Sequence, residues 1–103
     1  AQNCGGIVAA NLVANGYAKW ANGLIIQWVK KAFDDNKKYD DITFPIAFSK
    51  AVFGIIPVDW DTSDITESRD YTFTIIDNRT TLTKTRVTVN GYAGLYKALI
   101  IGI

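Results

Sequence analysis

The chain has 103 residues, which is enough for one domain and too few for two. Apolar residues make up 49% and charged residues 20%, a composition that excludes intrinsic disorder. The 11 basic and 10 acidic residues leave a net charge of only +1. Such a weak field predicts no binding to nucleic acid. No stretch approaches the ~20 apolar residues of a membrane helix, so we also predict no membrane insertion.

The first 20 residues are rich in Ala, Asn and Gly, with turn signals at Gly5-Gly6 and Asn15-Gly16. We interpret residues 1–20 as an extended lead-in with short strand-like pieces, and residues 21–103 as the folded domain. The chain starts at Ala1 and contains no methionine, which indicates a fragment of a longer polypeptide.

The next segment, Leu24–Val29, is short, β-branched and aromatic, which favours a strand. It also fits a helix, because apolar residues recur at i, i+3, i+4 and i+7, at Ile25, Trp28, Val29 and Ala32. Gly23 before the segment and Asp34-Asp35-Asn36 after it favour the strand. The same spacing predicts a hairpin turn that leads into a second strand at Lys38–Phe44.

Ala51–Val58 is the next predicted strand, and it contains Pro57. Proline cannot donate a hydrogen bond to a neighbouring strand, so this strand should end or bulge at Pro57, or lie at a sheet edge. An acidic loop follows, from Asp59 to Asp64.

Three further strands complete the predicted fold. In Asp70–Ile76, Tyr71, Phe73 and Ile75 share one face. Asp77-Asn78 predicts a two-residue hairpin turn into Thr80–Val89, because both residues tolerate positive φ. A turn at Asn90-Gly91 precedes the last strand, Leu95–Ile103.

Six or seven short strands, with turn signals roughly every ten residues, predict an all-β domain of the antiparallel β-sandwich type. Three of them are apolar on both faces: Leu24–Val29, Ala51–Val58 and Leu99–Ile103. One face of such a strand normally meets water, so the pattern favours an oligomer. A closed barrel or a covered central strand would also account for it.

The inventory of reactive side chains excludes most catalysis. The chain has no histidine, so Ser-His-Asp and Cys-His pairs are impossible, and no imidazole is available for zinc. Cys4, the single cysteine, has no base beside it and is interpreted as inert. Asp59, Asp61 and Asp64 do not match the EF-hand pattern. We therefore predict no enzymatic activity, no cofactor and no metal.

The carboxylates give one candidate binding motif. Asp34-Asp35 and Asp40-Asp41 are interpreted as solvated loops. In Asp59-Trp60-Asp61, by contrast, an aromatic ring lies between two acceptors. Such a ring can stack on the C–H groups of a sugar while the carboxylates accept its hydroxyls. The alternative is that Trp60 is a partly buried structural anchor.

Three stretches resemble a known family when they are taken in order. They read NGYAKW from Asn15, GLIIQW from Gly23 and TFPIAF from Thr43. This order, with the closing segment Leu99–Ile103, resembles the C-terminal receptor-binding tip domain of tail fibres of tailed bacteriophages. The resemblance covers nearly the whole chain.

This resemblance implies an antiparallel β-sandwich that forms a homotrimer at the distal end of a virion tail fibre, after assembly in the host cytoplasm. It implies adsorption to a host cell-surface glycan or outer-membrane protein. The motif residues are then expected in the core or the trimer interface: Leu24, Ile26, Trp28, Phe44, Phe48 and Ile101.

Receptor contacts are expected in loops 59–67, 77–79 and 90–94, because binding residues often lie on surface loops that a rigid scaffold positions. The candidate residues are Asp59, Trp60, Asp61, Asp64, Arg79 and Tyr92. Two other functions stay open at this point. The domain could be a structural module that caps the trimer without contacting a receptor. It could also be a polysaccharide depolymerase, which needs two carboxylates about 5–10 Å apart.

Overall fold

The computed structural model describes residues 6–33, 38–60, 72–89 and 95–103. Within these ranges the chain forms eight β-strands and no α-helix. The strands are β1 (Ile7–Asn11), β2 (Gly16–Trp20), β3 (Ile25–Ala32), β4 (Tyr39–Thr43), β5 (Val52–Asp59), β6 (Phe73–Ile76), β7 (Lys84–Val89) and β8 (Leu95–Gly102).

The strands form two antiparallel sheets, which confirms the predicted all-β, antiparallel class. The larger sheet has five strands in the order β1-β2-β3-β8-β5, and the smaller has three in the order β4-β7-β6. The core lies between the sheets, where Ile25 and Ile100 of the larger sheet meet Ile42 and Val87 of the smaller one. All four side chains are at most 1% exposed.

Residues 7–11 and 16–20 form strands, and these strands belong to the larger sheet. β1 and β2 make an antiparallel hairpin, and β2 pairs along β3 from Gly16↔Trp28 to Lys19↔Ile25. The expected lead-in is therefore extended, but it is hydrogen-bonded to the domain. The division of the chain at residue 20 stays a prediction.

The segment after Gly23 is a strand and not a helix. Gly23 has a φ of 95°, a left-handed conformation that glycine adopts without steric cost, and it ends the tight turn between β2 and β3. The expected hairpin from β3 into β4 is wrong, however. β3 pairs with β2 and β8, whereas β4 pairs with β7 in the other sheet. The chain crosses between the sheets at this point.

The turn expected at Asp77-Asn78 is also wrong. Asp77–Arg79 forms a single turn of 3-10 helix, and no non-glycine residue in the described ranges has positive φ. β6 and β7 still pair, with Ile76 opposite Arg86, but the connection is longer than two residues. Thr80 closes it by donating its hydroxyl to the carbonyl of Ile76 at 2.8 Å.

β5 lies at the edge of the larger sheet, as expected from Pro57. Among the described strands it pairs with β8 alone, and its ladder is irregular between Val52 and Gly54. A proline and an irregular start each make it less favourable for another strand to pair with an open sheet edge. β8 is the central strand between β3 and β5, and Tyr96, Ala98, Ile100 and Gly102 are its buried positions.

The connection between β4 and β5 closes one end of the core. Phe44 and Phe48 are buried, and their rings meet edge to face with centroids 5.4 Å apart. A Cβ on Gly102 would lie 2.7 Å from the ring of Phe48 and 2.3 Å from the carbonyl oxygen of Ala51. Glycine is therefore required at position 102. Ile103 then exchanges backbone hydrogen bonds with Ala51 at 2.9 and 3.0 Å.

Candidate functional site

The larger sheet turns an apolar surface away from the core. We call this surface the outer face; it consists of Ile26, Trp28, Ile56, Val58, Leu99 and Ile101. Leu99 lies directly between Trp28 of β3 and Ile56 of β5. Ile56 is 55%, Val58 45% and Leu99 38% exposed, although all three are large apolar side chains. They line an open depression that Trp28 and Lys97 also border.

A second apolar surface is the hairpin arm, Ile7–Asn15. All five residues of β1 are exposed, and Leu12 beyond it is 78% exposed. The tip of the arm is fixed to the sheet, because the indole N–H of Trp28 donates to the carbonyl of Val13 at 2.7 Å. The side chain of Asn15 also accepts from the backbone N–H of Lys30 at 2.8 Å.

Trp60, the aromatic residue of the candidate binding motif, directly follows β5. Its backbone N–H donates to the carbonyl of Leu95 at 3.1 Å, which continues the pairing with β8 by one residue. The ring lies against Lys97, with the ammonium 3.6 Å from the ring centroid. The side chain is 43% exposed and thus remains accessible. This contact is a cation–π interaction, which orients the indole.

A buried polar network supports this end of β8. The hydroxyl of Tyr96 donates to the Asp40 carboxylate at 2.5 Å, and the Lys31 ammonium lies 3.2 Å from the same carboxylate. Lys31 also donates to the carbonyl of Asp41. Burial, followed by the hydrogen bond to Asp40, raises the pKa of Tyr96. The phenol therefore stays protonated and remains a donor. The interpretation of Asp40 as part of a solvated loop is wrong, because Asp40 lies in β4 and is 6% exposed.

The structure separates the receptor-binding candidates. Asp59 and Trp60 are adjacent in an extended chain, so their side chains point to opposite faces of the sheet. Arg79 lies in the connection that faces the start of β5, whereas Trp60 follows its end. Asp61, Asp64 and Tyr92 lie outside the described residues.

The core and interface candidates divide into two groups. Phe44 and Phe48 are buried in the core. The other four, Leu24, Ile26, Trp28 and Ile101, are half-buried, and the last three of these belong to the outer face. The inward positions of β3 are instead Ile25, Gln27 and Val29.

Two residues at the site were not assigned from sequence. Lys97 holds the Trp60 ring, and Gln27 bonds the backbone of Ile46 inside the core. The contact of Lys97 with Trp60 could not be predicted from the sequence, because it depends on the pairing of β5 with β8.

Within the described ranges no group of three or more His, Cys, Asp or Glu residues is arranged to hold a metal ion. In the same ranges no helix has the length and apolarity needed to cross a membrane.

Residues 19–102 match the family model described as tail fiber protein gp53-like, C-terminal. The chain belongs to this gp53-like tail fibre family. A comparison with curated protein sequences found no match.

Solved structures with the same fold are tail fibres of R-type pyocins. An N-truncated R2-type pyocin tail fibre superposes with a TM-score of 0.73 at 24% identity, over 92% of this chain and 37% of that one. An N-truncated R1-type fibre gives 0.70 at 23%, over 92% and 84% of the two chains. The C-terminal part of the Pseudomonas aeruginosa R1 pyocin fibre gives 0.72 at 25%, over 92% and 28%. The gp53-like chain thus spans well under half of two of these fibre chains.

Proposed function

We propose that this gp53-like chain is the receptor-binding end of a virion tail fibre, where it acts as a non-enzymatic homotrimer that adsorbs to a host surface polysaccharide. Its place is the distal end of the fibre, with assembly in the host cytoplasm. The observation that carries the proposal is the exposed indole of Trp60, oriented by Lys97 at the end of a tail-fibre domain. An aromatic ring held in this way is a platform for a sugar ring.

The amount of exposed surface supports self-association. The chain exposes 6692 Å². A compact monomer of 11.4 kDa is expected to expose about 5,800 Å². The exposed area exceeds that expectation by about 900 Å². The radius of gyration of 15.0 Å likewise exceeds the roughly 13 Å of a compact domain of this length.

The distribution of that surface fits a ring of three copies. A cyclic trimer joins two different patches, because each copy uses one patch toward each neighbour. The outer face and the hairpin arm are two apolar patches of different composition, which meet where Trp28 bonds to Val13. Contact of the outer face of one copy, short of its edge at Lys97 and Trp60, with the arm of the next copy would join three copies in a closed ring.

Replacing Leu99 with glutamate is expected to dissociate the trimer. Leu99 is the centre of the outer face, and a carboxylate there would have to be buried without a partner. Light scattering behind a sizing column should show a mass near three times 11.4 kDa for the unaltered protein. Leu99→Glu should fall to the mass of one chain, with at least ~10-fold weaker association.

Leu82→Glu is the matched control for this variant. Leu82 and Leu99 are both 38% exposed, but Leu82 lies in the connection before β7, outside both apolar patches. The control should keep the trimer mass. A single-chain mass for the unaltered protein would contradict the trimer, and equal losses in both variants would contradict the assigned interface.

Replacing Trp60 with alanine is expected to weaken adsorption at least ~10-fold while the trimer persists. Loss of one stacking contact costs about 1–1.5 kcal/mol per site, and engagement of three sites multiplies the effect through avidity. The measurement is binding of labelled trimer to a panel of bacterial strains, with at least ~10-fold loss expected on strains that bind the unaltered protein.

Phe53→Ala is the control for Trp60→Ala. Phe53 is another exposed aromatic residue of the same edge strand, 63% exposed, but it lies at the opposite end of β5. It should bind cells normally. Normal cell binding by Trp60→Ala would favour the second candidate function, a capping module, for which the apolar outer face is the supporting observation.

A further inference from the structure

We infer that the edge of the outer face formed by Lys30, Lys97 and Trp60, here called the basic edge, recognises an anionic substituent of the glycan. The substituent is a carboxylate or a phosphate group carried by a sugar. This inference rests on the proposed function, because it names the chemical class of receptor that the Trp60 site takes.

The two lysines of the basic edge are direct cross-strand neighbours. Lys30 of β3 is opposite Lys97 of β8, and both point to the outer face. Directly opposite residues have Cβ atoms about 4.5–5.5 Å apart, and like charges at that spacing repel. Among the described residues, no carboxylate forms an ion pair with either ammonium. An anion between them would remove the repulsion and receive two charge-assisted hydrogen bonds.

The neighbouring residue, Lys31, has its charge compensated within the fold and needs no ligand. Lys31 follows Lys30 along β3 and therefore points to the opposite face, where it pairs with the Asp40 carboxylate. Lys30 and Lys97 have no such partner within the described ranges.

The polar groups beside the Trp60 ring select an anion over a neutral sugar. A neutral sugar presents hydroxyls, which are best bound by a mixture of donors and acceptors. Lysine ammonium groups only donate. The nearest described carboxylate along the chain, Asp59, points to the other face of the sheet. The Lys97 ammonium lies 3.6 Å from the centroid of the indole ring, which places a cation beside the aromatic surface that would hold the sugar.

The test measures binding of the trimer to defined polymers. Polygalacturonate supplies carboxylates, phosphorylated dextran supplies phosphates, and unmodified dextran is the neutral reference. We expect at least one acidic polymer to bind at least ~10-fold more tightly than dextran, and its affinity to fall as salt rises. The carboxylate and phosphate polymers distinguish the two possible sources of charge.

The double variant Lys30→Gln with Lys97→Gln should lower binding of the acidic polymer at least ~10-fold. Lys30→Gln alone should lower it by a smaller factor and leaves the Lys97–Trp60 contact in place. The control is Lys50→Gln with Lys84→Gln, which removes the same charge from exposed lysines outside the basic edge. This control should bind as the unaltered trimer does.

Equal losses in the two double variants would overturn the inference, because the effect would then reflect net charge. Equal binding of acidic and neutral polymers by the unaltered trimer would overturn it as well. The proposed function is judged separately, by cell binding of Trp60→Ala. If Trp60→Ala loses cell binding while the Lys30/Lys97 double variant keeps it, the receptor site stands and its anionic specificity is wrong.

Discussion

Replacing Tyr96 with alanine should lower the free energy of unfolding of the domain by about 3–5 kcal/mol. Tyr96 is fully buried, and its ring packs against Phe33 and Phe73 with centroids 6.1 and 5.7 Å away. Truncation leaves a cavity between the sheets. It also removes the hydroxyl that donates to Asp40, so a buried carboxylate loses a hydrogen bond. A loss of this size is a large part of the roughly 5–15 kcal/mol that stabilises a typical domain.

Tyr96→Phe separates the two contributions. It keeps the ring and removes only the hydrogen bond to a charged group, which should cost about 1.5–3 kcal/mol. Tyr39→Ala is the control, because Tyr39 is half-buried on the other side of the smaller sheet, with its ring beneath the guanidinium of Arg86 at 3.8 Å. It should destabilise clearly less than Tyr96→Ala.

Denaturant unfolding at one fixed protein concentration, followed by tryptophan fluorescence, measures these differences. If Tyr96→Ala and Tyr39→Ala cost the same, the network at Tyr96 is not a main support of the fold.

The extended segments of this fold could be predicted because each is short, β-branched and bounded by turn residues. The chemistry of Pro57 predicted that β5 would end or bulge there or lie at a sheet edge, and the structure has the edge position. The pairing of the strands could not be predicted with the same rules. Asp34-Asp35-Asn36 indicates a change of chain direction, but it does not say whether the next strand joins the same sheet. The crossover from β3 to β4 is decided by burial of Ile42 in the core that also contains Ile25, and packing between two sheets cannot be read from local sequence.

The candidate site, like the strand pairing, could be predicted only in part from the sequence. The motif around Trp60 left open a sugar-binding ring or a partly buried anchor, and the side chain is 43% exposed. The motif also placed Asp59 beside that ring, but an extended backbone turns adjacent side chains to opposite faces. The group that does contact the ring, Lys97, is 37 positions away in the chain and becomes visible only through the β5–β8 register. Local sequence thus identifies the ring but not its partners.

The structural role of Gln27 could not be predicted from the sequence. It sits inside the GLIIQW stretch, where a polar residue between apolar ones indicates a solvent-facing position. It is instead 0% exposed. Its side-chain amide donates to the carbonyl of Ile46 at 2.8 Å and accepts from the Ile46 N–H at 2.9 Å. Gln27 therefore supplies the pairing that a neighbouring strand would otherwise give to the backbone at Ile46, and it ties the connection between β4 and β5 to the larger sheet.

Replacing Gln27 with leucine should lower the free energy of unfolding by about 2–5 kcal/mol, because two backbone groups of Ile46 lose their partners at once. Gln27→Glu should be at least as severe. A carboxylate can accept from the Ile46 N–H but cannot donate to the carbonyl, and its charge would be buried. The measurement is again denaturant unfolding.

Thr85→Val is the contrasting control for Gln27→Leu. Thr85 is also buried, at 1% exposed, but its partner Thr80 keeps a second hydrogen bond to the Ile76 carbonyl. Its loss should therefore cost clearly less. If Gln27→Leu were as stable as the unaltered domain, water would have to reach Ile46, and the connection carrying Phe44 and Phe48 would be held by its aromatic packing alone.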